Sequence, residues 1–141
     1  RPDLAVWGAK DAQQNLVIRQ VSRDLCMNVE HVIVPTVRDG DGLAFSSRNR
    51  RLSVDERRAA TVLFAALSES KELWAGGERC AHVLRDRIRE FVGREPLVHL
   101  EYVSVADPEA LTELDALVPG ALLSVAAHVG SVRLIDNVVL E

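Results

Sequence analysis

The sequence has few aromatic residues and no excess of positive charge, and each shortage excludes a class of partner. Phe, Trp and Tyr make up 4% of the 141 residues, too few for the stacking surfaces that bind single-stranded nucleic acids. Lys and Arg number 17 against 21 Asp and Glu, which gives a formal net charge of -4. No overall field therefore draws the molecule to nucleic acid or anionic lipid, so we expect neither partner, and any anion site must be local.

Long apolar runs are also absent from the sequence. It holds no stretch of about 18 apolar residues, the length that spans a bilayer, and no charged segment followed by a short apolar one, as in a signal peptide. We expect a soluble, cytoplasmic protein. The first residue is Arg1 and the chain begins as if in mid-fold, so we also expect an upstream part.

Cysteine and histidine occur without the spacing of metal ligands. The two cysteines, Cys26 and Cys80, lie far apart, each in a helix-like pattern, and fit neither a metal knuckle nor a disulfide-dense secreted domain. We expect both to be buried free thiols. We expect each of the four histidines to be a surface residue of a strand or helix: His31, His82, His99 and His128.

The first part of the chain has the pattern of a strand–helix–strand unit. An apolar run over residues 4–8 ends in glycine, and apolar residues at helical spacing follow it: Val17, Ile18, Val21 and Leu25. A β-branched run from Val29 ends at Pro35, which cannot continue a strand ladder. This order predicts parallel strands, with ligands bound at their carboxyl ends, where residues 8–14 and 35–48 would lie.

From Ser53 onward the sequence predicts helices. Ser53 and Glu56 form an S-x-x-E capping box, in which each side chain pairs with a backbone N–H group at the helix start. Apolar residues at helical spacing follow, so we predict one helix from this cap to Gly76-Gly77 and a second helix that ends at Gly93.

A sheet is predicted from residue 98 onward. Residues 98–103 alternate as a half-buried antiparallel strand does, with Tyr102 on one face and Val103 on the other. An Asp-Pro pair predicts a short helix over residues 107–119. Two apolar runs then flank Gly130-Ser131, which suits a hairpin turn. We therefore expect helices packed on a three-stranded antiparallel sheet.

The segment GAKDAQQ, Gly8 to Gln14, is the first candidate site. Backbone N–H groups at a helix N-terminus favour anions, a glycine lets a ligand approach closely, and Lys10 adds a mobile positive charge. Asp11 could accept hydrogen bonds from ribose hydroxyls. Alternatively, Asp11 only caps the helix while Lys10 and Gln14 are solvated, and these seven residues leave both interpretations open.

The segment GLAFSSRNRRLS, Gly42 to Ser53, is the second candidate. Its two adjacent serines offer hydroxyl and backbone donors, and Arg48 offers a planar fork that matches phosphate oxygens. The preceding Asp39–Gly42 loop could close over a substrate. The alternative is a solvated linker between domains, which we favour for Arg50 and Arg51.

Other chemistry has weak support in the sequence. Asp136-Asn137 is a polar pair at a sheet end, and such a pair more often joins loops than acts on a ligand. No serine or cysteine has the local context of an activated nucleophile, and a Walker-type phosphate loop is absent from the sequence.

Three segments resemble the C-terminal portion of the pantothenate synthetase (pantoate–β-alanine ligase) family: WGAKDAQQ from Trp7, VPTVRDGDGLAFSSRNRRLS from Val34, and RLIDN from Arg133. The resemblance covers essentially the whole chain. It implies an α/β fold in which residues 1–48 are the last strand–helix–strand of a Rossmann-like nucleotidyltransferase domain that binds ATP and pantoate. Residues 49–141 would be a small α+β lid domain, with helices on a three-stranded antiparallel sheet.

The resemblance implies a ligation in two steps. The carboxylate of pantoate attacks the α-phosphate of ATP, in the presence of Mg²⁺, and gives pantoyl adenylate and pyrophosphate. The amine of β-alanine then displaces AMP to give pantothenate. The complete enzyme is expected to be a homodimer. The family's N-terminal half, with its H-x-G-H signature, has no counterpart in this chain, so we expect the isolated chain to be inactive.

The resemblance also implies roles for individual residues. ATP would be bound by Gly8, Lys10, Asp11, Pro35, Val37, Phe45, Ser46, Ser47 and Arg48, and pantoate by Gln14. Four of these would be catalytic, as fixed donors and cations that stabilise charge on the phosphates: Lys10, Ser46, Ser47 and Arg48. No metal ligand is assigned. The chain departs from the usual family pattern at Ala9, where glutamate is usual, and at Phe45, where methionine is usual.

Two functions of other classes compete with the ligase. The chain could be a stand-alone, non-catalytic nucleotide-binding or interaction module that kept the phosphate loop. It could also be an RNA-binding module that uses Arg48 to Arg51, which predicts salt-sensitive binding and is disfavoured by the net charge.

Overall fold

The computed structural model describes residues 2–141, and in them it has five β-strands, four α-helices and two short 3₁₀ helices. The chain divides into two compact units, one ending at Val37 and the other beginning at Arg38. Residues 38–48 cluster with the second unit, although the sequence assigns them to the first domain. The functional division after residue 48 stays a prediction.

The first unit is the predicted strand–helix–strand. It consists of β1 (Leu4–Gly8), a 3₁₀ helix (Ala9–Asp11), α1 (Ala12–Asp24) and β2 (Glu30–Val34). The two strands pair in parallel, with Gly8 opposite Val34. The predicted α/β pattern is therefore confirmed for this part of the chain.

Hydrogen bonds between side chains join the three elements of the first unit. The indole Nε1 of Trp7, on β1, donates to Nδ1 of His31, on β2, over 3.0 Å. Because a tryptophan nitrogen can only donate, His31 accepts at Nδ1, and its Nε2 lies 2.9 Å from the hydroxyl oxygen of Ser22 on α1. His31 is therefore half-buried and structural, whereas the other three histidines are exposed, as expected.

The first unit leaves most of its apolar side chains exposed. Of residues 2–37, the fully buried ones are the polar Asn15 and Ser22. Seven apolar side chains of the strands, of α1 and of its C-cap residue are between 38% and 68% exposed: Leu4, Val6, Val17, Val21, Leu25, Ile33 and Val34. Directional hydrogen bonds, and not a closed apolar core, therefore define the geometry within this unit.

The second unit packs helices on a sheet, as predicted. Its elements are a 3₁₀ helix (Ser47–Arg51), α2 (Val54–Ala60), α3 (Val62–Ala75), α4 (Ala81–Val92), β3 (Val98–Ala106), β4 (Leu122–Val129) and β5 (Val132–Val139). The strands form an antiparallel sheet in the order β3-β4-β5. The core between helices and sheet includes Leu67, Leu84 and Val125, all fully buried, and each such side chain contributes about 1.5–3 kcal/mol through burial.

The start of the helical region is confirmed, but its continuity is not. The N–H of Glu56 donates to the Ser53 hydroxyl over 3.2 Å, and the N–H of Ser53 donates to the Glu56 carboxylate over 2.7 Å, which completes the capping box. The single helix predicted from this cap to Gly76 is instead two helices, α2 and α3. They are separated at Thr61, whose hydroxyl donates to the carbonyl of Arg58 over 2.8 Å and competes with the helical backbone pattern.

The helix predicted over residues 107–119 is absent from this described segment, and the prediction is wrong. The Asp107 carboxylate accepts hydrogen bonds from the N–H groups of Glu109 and Ala110, so it caps only one turn. Leu111 then adopts a φ of 57°, in the left-handed region, which no helix continues. The chain turns back, and Glu113 pairs with Ala106 at the end of β3.

The predicted faces of β3 hold for Val98 to Leu100, and a β-bulge reverses them from Tyr102 onward. The register with β4 shifts between Leu100 and Tyr102, so Glu101 is an extra residue on this strand. Val103 is 8% exposed and faces the core, whereas Tyr102 is half-buried. Alternation alone assigns these two residues to the opposite faces, because a sequence pattern does not reveal a bulge.

Both cysteines are free, as expected, but they are exposed and not buried. Cys26 lies two residues beyond the end of α1 with a φ of 49°, and Cys80 is the N-cap residue of α4. Each stands just outside a helix, so neither belongs to a core-facing stripe. No helix among residues 2–141 has the length and apolar character to cross a membrane.

Glu113 should make the second unit sensitive to acid. Burial opposes the ionisation of its carboxyl group, but hydrogen bonds from the Ser104 hydroxyl, Arg85 and the Val105 N–H outweigh it and hold its pKa below the ordinary value of 4.5. Because the pKa is lower in the folded state than in the unfolded state, the ionised carboxylate stabilises the fold above pH 4.5. This stability is lost as the pH falls through the folded-state pKa. Glu113→Gln should therefore lower the Tm at pH 7, and this loss should become smaller as the pH falls below 4.5.

The side chain of Glu113 is 55% exposed, so solvent screening should keep the effect at pH 7 below about 4 °C. Thermal unfolding followed by circular dichroism measures it. Glu109→Gln, at an exposed site nearby, is the control and should leave the Tm unchanged at pH 7 and pH 3. An equal loss of Tm by Glu113→Gln at pH 7 and pH 3 would contradict the prediction.

Candidate functional site

One edge of the sheet in the first unit collects the site residues predicted there. Gly8 ends β1 opposite Val34, which ends β2, so the residues after both strands leave the sheet at the same edge. They include Lys10, Asp11, Pro35 and Val37, with Gln14 in the first turn of α1. This common location follows from the parallel pairing, and the roles of these residues stay predictions.

Asp11 is exposed at the start of α1. It occupies the N-cap position, but within residues 2–141 its side chain makes no capping hydrogen bond. The interpretation that Asp11 only caps the helix is therefore not supported, and both carboxylate oxygens can accept hydrogen bonds from a ligand. Lys10 precedes it in the 3₁₀ helix with a half-buried side chain, close to the positive end of the helix dipole.

Asn15 positions this edge, and sequence reasoning missed it. Its side-chain amide donates to the carbonyl of Gly8 over 2.8 Å, and the residue is only 6% exposed. This bond holds the first turn of α1 against the end of β1. A signal existed in the sequence, because Asn15 and Ser22 are seven residues apart and so share one helix face, where apolar residues are usual.

The four remaining site residues form a tight turn in the second unit, in which only Ser46 is half-buried and the other three are exposed. Ser46 is the N-cap residue of the 3₁₀ helix, and its hydroxyl accepts the N–H of Arg48 over 3.2 Å. Ser47 and Arg48 are exposed, and Phe45 beside them is 63% exposed. Ser46 to Arg48, hereafter the SSR turn, present two hydroxyls and one guanidinium within three residues, a donor set that suits phosphate oxygens.

The loop before the SSR turn is closed by its own contacts. The N–H of Asp39 donates to the carbonyl of Leu43 over 2.9 Å. Arg57, on α2, donates to the carboxylates of Asp39 and Asp41 over 2.9 and 3.0 Å. The two acidic residues of the loop therefore have a partner in α2, and the loop is an ordered part of the second unit.

The polar pair in the last strand joins segments that are distant in sequence. Asp136 is 4% exposed, and its carboxylate accepts hydrogen bonds from both terminal nitrogens of Arg38, over 2.7 and 2.9 Å. The expectation that this pair joins loops agrees with that contact. Arg50 and Arg51 are exposed at the end of the 3₁₀ helix, as the solvated interpretation expects.

The site residues do not form a metal centre. Among residues 2–141, no three His, Cys, Asp or Glu side chains are grouped so that they could hold a metal ion. In the first unit the candidate residues offer one carboxylate, that of Asp11, and in the second unit the SSR turn offers hydroxyl and guanidinium groups. Neither set by itself supplies the several oxygen ligands that Mg²⁺ requires from a protein.

A family model and the curated relatives of this chain indicate the same protein family. Residues 1–139 match the family model described as pantoate-beta-alanine ligase. The pantothenate synthetase of Chloroflexus aggregans is 54% identical over 138 residues, which are 97% of this chain and 50% of that protein. The chain thus spans about half the length of the curated relatives that it matches.

Solved structures agree with this result. The crystal structure of pantothenate synthetase from Thermus thermophilus superimposes with a TM-score of 0.92 at 40% identity, over 98% of this chain and 50% of the other. Pantoate-beta-alanine ligase from Francisella tularensis, complexed with beta-gamma ATP and beta-alanine, gives a TM-score of 0.67 at 25% identity, over 98% of this chain and 44% of the other.

The loop before the SSR turn should depend on glycine at residue 42. Gly42 has a φ of +87°, and a Cβ added there would lie 2.5 Å from Cδ1 of Phe64. Gly42→Ala combines backbone strain with a steric clash, so we expect it to lower the free energy of unfolding by about 2 kcal/mol. Urea unfolding followed by circular dichroism measures the change.

Gly40→Ala is the matched control in the same loop. A Cβ at Gly40 would meet no atom within 4 Å, so this variant should stay within about 0.5 kcal/mol of the parent. Equal stability losses for the two variants would show that Gly42 has no special requirement.

Proposed function

The chain belongs to the pantoate–β-alanine ligase family, and from that premise we propose that it supplies the C-terminal half of an ATP-dependent ligase for pantoate and β-alanine. The observation that carries the proposal is the SSR turn, whose two hydroxyls and exposed guanidinium suit the oxygens of a phosphate chain. The Francisella relative bound to beta-gamma ATP and beta-alanine supports ATP and β-alanine as the substrates.

The proposed reaction needs positioning and charge stabilisation more than proton transfer. In the first step the carboxylate of pantoate forms a bond to the α-phosphorus, and the bond to the pyrophosphate oxygen breaks. In the second step the amine of β-alanine attacks the acyl carbon, AMP leaves with the bonding electrons, and the amine proton passes to solvent. Because an ionised carboxylate is already a nucleophile, the first step requires no activated serine, cysteine or histidine.

Different residues of this chain would contact the phosphates, the nucleoside and pantoate. Lys10 and the SSR turn would stabilise negative charge on the phosphates, since fixed donors and cations act most strongly where charge develops. Asp11 would accept the ribose hydroxyls, and Gln14 would hold pantoate. The adenosine side would be lined by Gly8, Pro35, Val37 and Phe45.

ATP would enter as its Mg²⁺ complex, in which the metal offsets phosphate charge. The described residues offer no acidic cluster to hold it, so the side chains of this chain would contact the phosphates and not the metal. A homodimeric complete enzyme, which the family resemblance implies, and a cytoplasmic location, which we expect from the sequence pattern, are part of the same proposal.

The exposed apolar surface of the first unit supports the proposal that activity requires another segment of protein to cover it. Its strands and helix have apolar side chains up to 56% exposed, and no apolar residue among 2–37 is fully buried. Such surfaces usually mark a contact with another part of a protein. We therefore propose that ligase activity requires the half of its relatives' length that this chain does not match.

The test joins this chain to the N-terminal half of the Chloroflexus aggregans relative and measures pantoate-dependent pyrophosphate release. The fusion should turn over, and the chain alone should not. The relative itself is the positive control. No turnover by a folded fusion, together with ATP binding by the chain alone in calorimetry, would contradict the ligase and favour the non-catalytic nucleotide-binding module.

Within the fusion, Arg48→Ala should lower kcat/KM for ATP by about 100-fold, because it removes a cation aimed at the phosphates. Arg50→Ala, two residues away on the same 3₁₀ helix, is the matched control and should change kcat/KM by less than about twofold. Equal effects of the two substitutions would contradict the assigned role of Arg48.

A further inference from the structure

The contact between Arg38 and Asp136 is nearly removed from solvent. The two nitrogens of the guanidinium donate to the two carboxylate oxygens over 2.7 and 2.9 Å, and the side chains are 18% and 5% exposed. The guanidinium carbon also lies 3.8 Å from the centre of the Phe64 ring. The pair is therefore a directional, two-point contact covered by an aromatic ring.

The same guanidinium closes the loop that precedes the SSR turn. Its Nη1 donates to the carbonyl of Gly42 over 3.1 Å, and its Nη2 lies 3.4 Å from the carbonyl oxygen of Asn137. Arg38 and Gly42 are the two ends of this loop, so one side chain fastens both ends to β5. Leu43 and Ala44, the next two residues, are 5% and 4% exposed and continue into the core.

The SSR turn is held on its other side as well. The side-chain amide of Asn49 donates to the carbonyl of Ala44 over 3.1 Å, across the base of the turn. Residues 45–48, of which Phe45, Ser47 and Arg48 are exposed and Ser46 is half-buried, therefore lie between two fixed points, Ala44 and Asn49. The position of Ala44, before the turn, depends on Arg38 and Asp136, which connect this segment to β5.

Stability alone does not account for this arrangement. Burying an ion pair costs desolvation energy that the attraction between the charges only about offsets, and apolar residues of similar size often stabilise as well or better. A bidentate pair does supply a fixed distance and direction. The pair of Arg38 and Asp136 therefore fixes the position of the loop and of the SSR turn that follows it.

We propose that Arg38 and Asp136 are positioning residues for the SSR turn, which set its three donors at the place where the phosphates of ATP bind. The inference rests on the proposed ligase function and deepens it, because it identifies what orients the phosphate contacts. Neither residue touches ATP in this assignment. Both act through the backbone of residues 38–44.

Asp136→Asn in the fusion protein tests the inference. Asparagine keeps the size but offers one acceptor oxygen and no charge, so the bidentate contact is lost. Small displacements of positioned groups lower catalysis by up to about 100-fold, and we expect KM for ATP to rise, so that kcat/KM for ATP falls by at least about tenfold while KM for pantoate stays within about twofold. A loss of folded protein alone would lower kcat and leave both KM values unchanged.

Arg38→Lys is the second variant. Lysine keeps the positive charge beside Asp136 but has no planar fork, so it separates charge pairing from geometry. We expect the same selective loss of kcat/KM for ATP, with the Tm close to that of the parent. Full activity of a folded Arg38→Lys fusion would overturn the inference, even if Asp136→Asn failed to fold.

Glu69→Gln is the control for a simple loss of an ion pair. Glu69 pairs with Arg87 over 2.6 Å between α3 and α4, and its side chain is 26% exposed. This variant should keep the kinetic constants of the parent. An inactive parent fusion would contradict the ligase proposal, whereas an active parent with unchanged constants in the folded Asp136→Asn fusion would overturn the positioning role alone.

Discussion

The second unit depends on a buried carboxylate that requires a partner. Asp136 is 4% exposed on β5, and a charge at such a position is costly unless it is paired and hydrogen-bonded. Arg38 meets both needs with one planar group, although it is 98 residues away in sequence. The path of the chain from residue 38 to residue 44 is therefore set by a strand formed at the other end of the unit. The SSR turn begins from that fixed point.

The first unit reaches its geometry in a different way. Within residues 2–37 the fully buried side chains are polar, and the contacts that join strands and helix are hydrogen bonds from Trp7 and Asn15 and to Ser22. Hydrogen bonds are directional, whereas apolar contacts are not. This unit can therefore hold the backbone around Gly8 in a defined position while its apolar surface stays available to another part of a protein.

Several features with local causes could be predicted from the sequence, whereas individual contacts between distant residues could not. The capping box at Ser53 and the turn at Gly130 depend on neighbouring residues, and both are present. The bulge at Glu101 depends on the pairing with β4, and the carboxylate of Glu101 is held by Arg133. The residue types of the candidate site likewise follow from its motifs. The contacts that orient them, such as the pair of Arg38 with Asp136, arise only when the chain has folded.

Charge distribution is compatible with the proposed binding of an anionic nucleotide by an acidic protein. The formal net charge of -4 repels anions only weakly at a distance, because salt screens charges beyond about 8–10 Å. Most arginines of the second unit are paired with carboxylates: Arg38, Arg57, Arg85, Arg87, Arg89, Arg94 and Arg133. Arg48 forms no ion pair with another residue in the described part of the chain, and it is exposed beside two serines. A local cation in such a setting keeps its full charge for a ligand, so selectivity for phosphate can come from one turn and not from the whole surface.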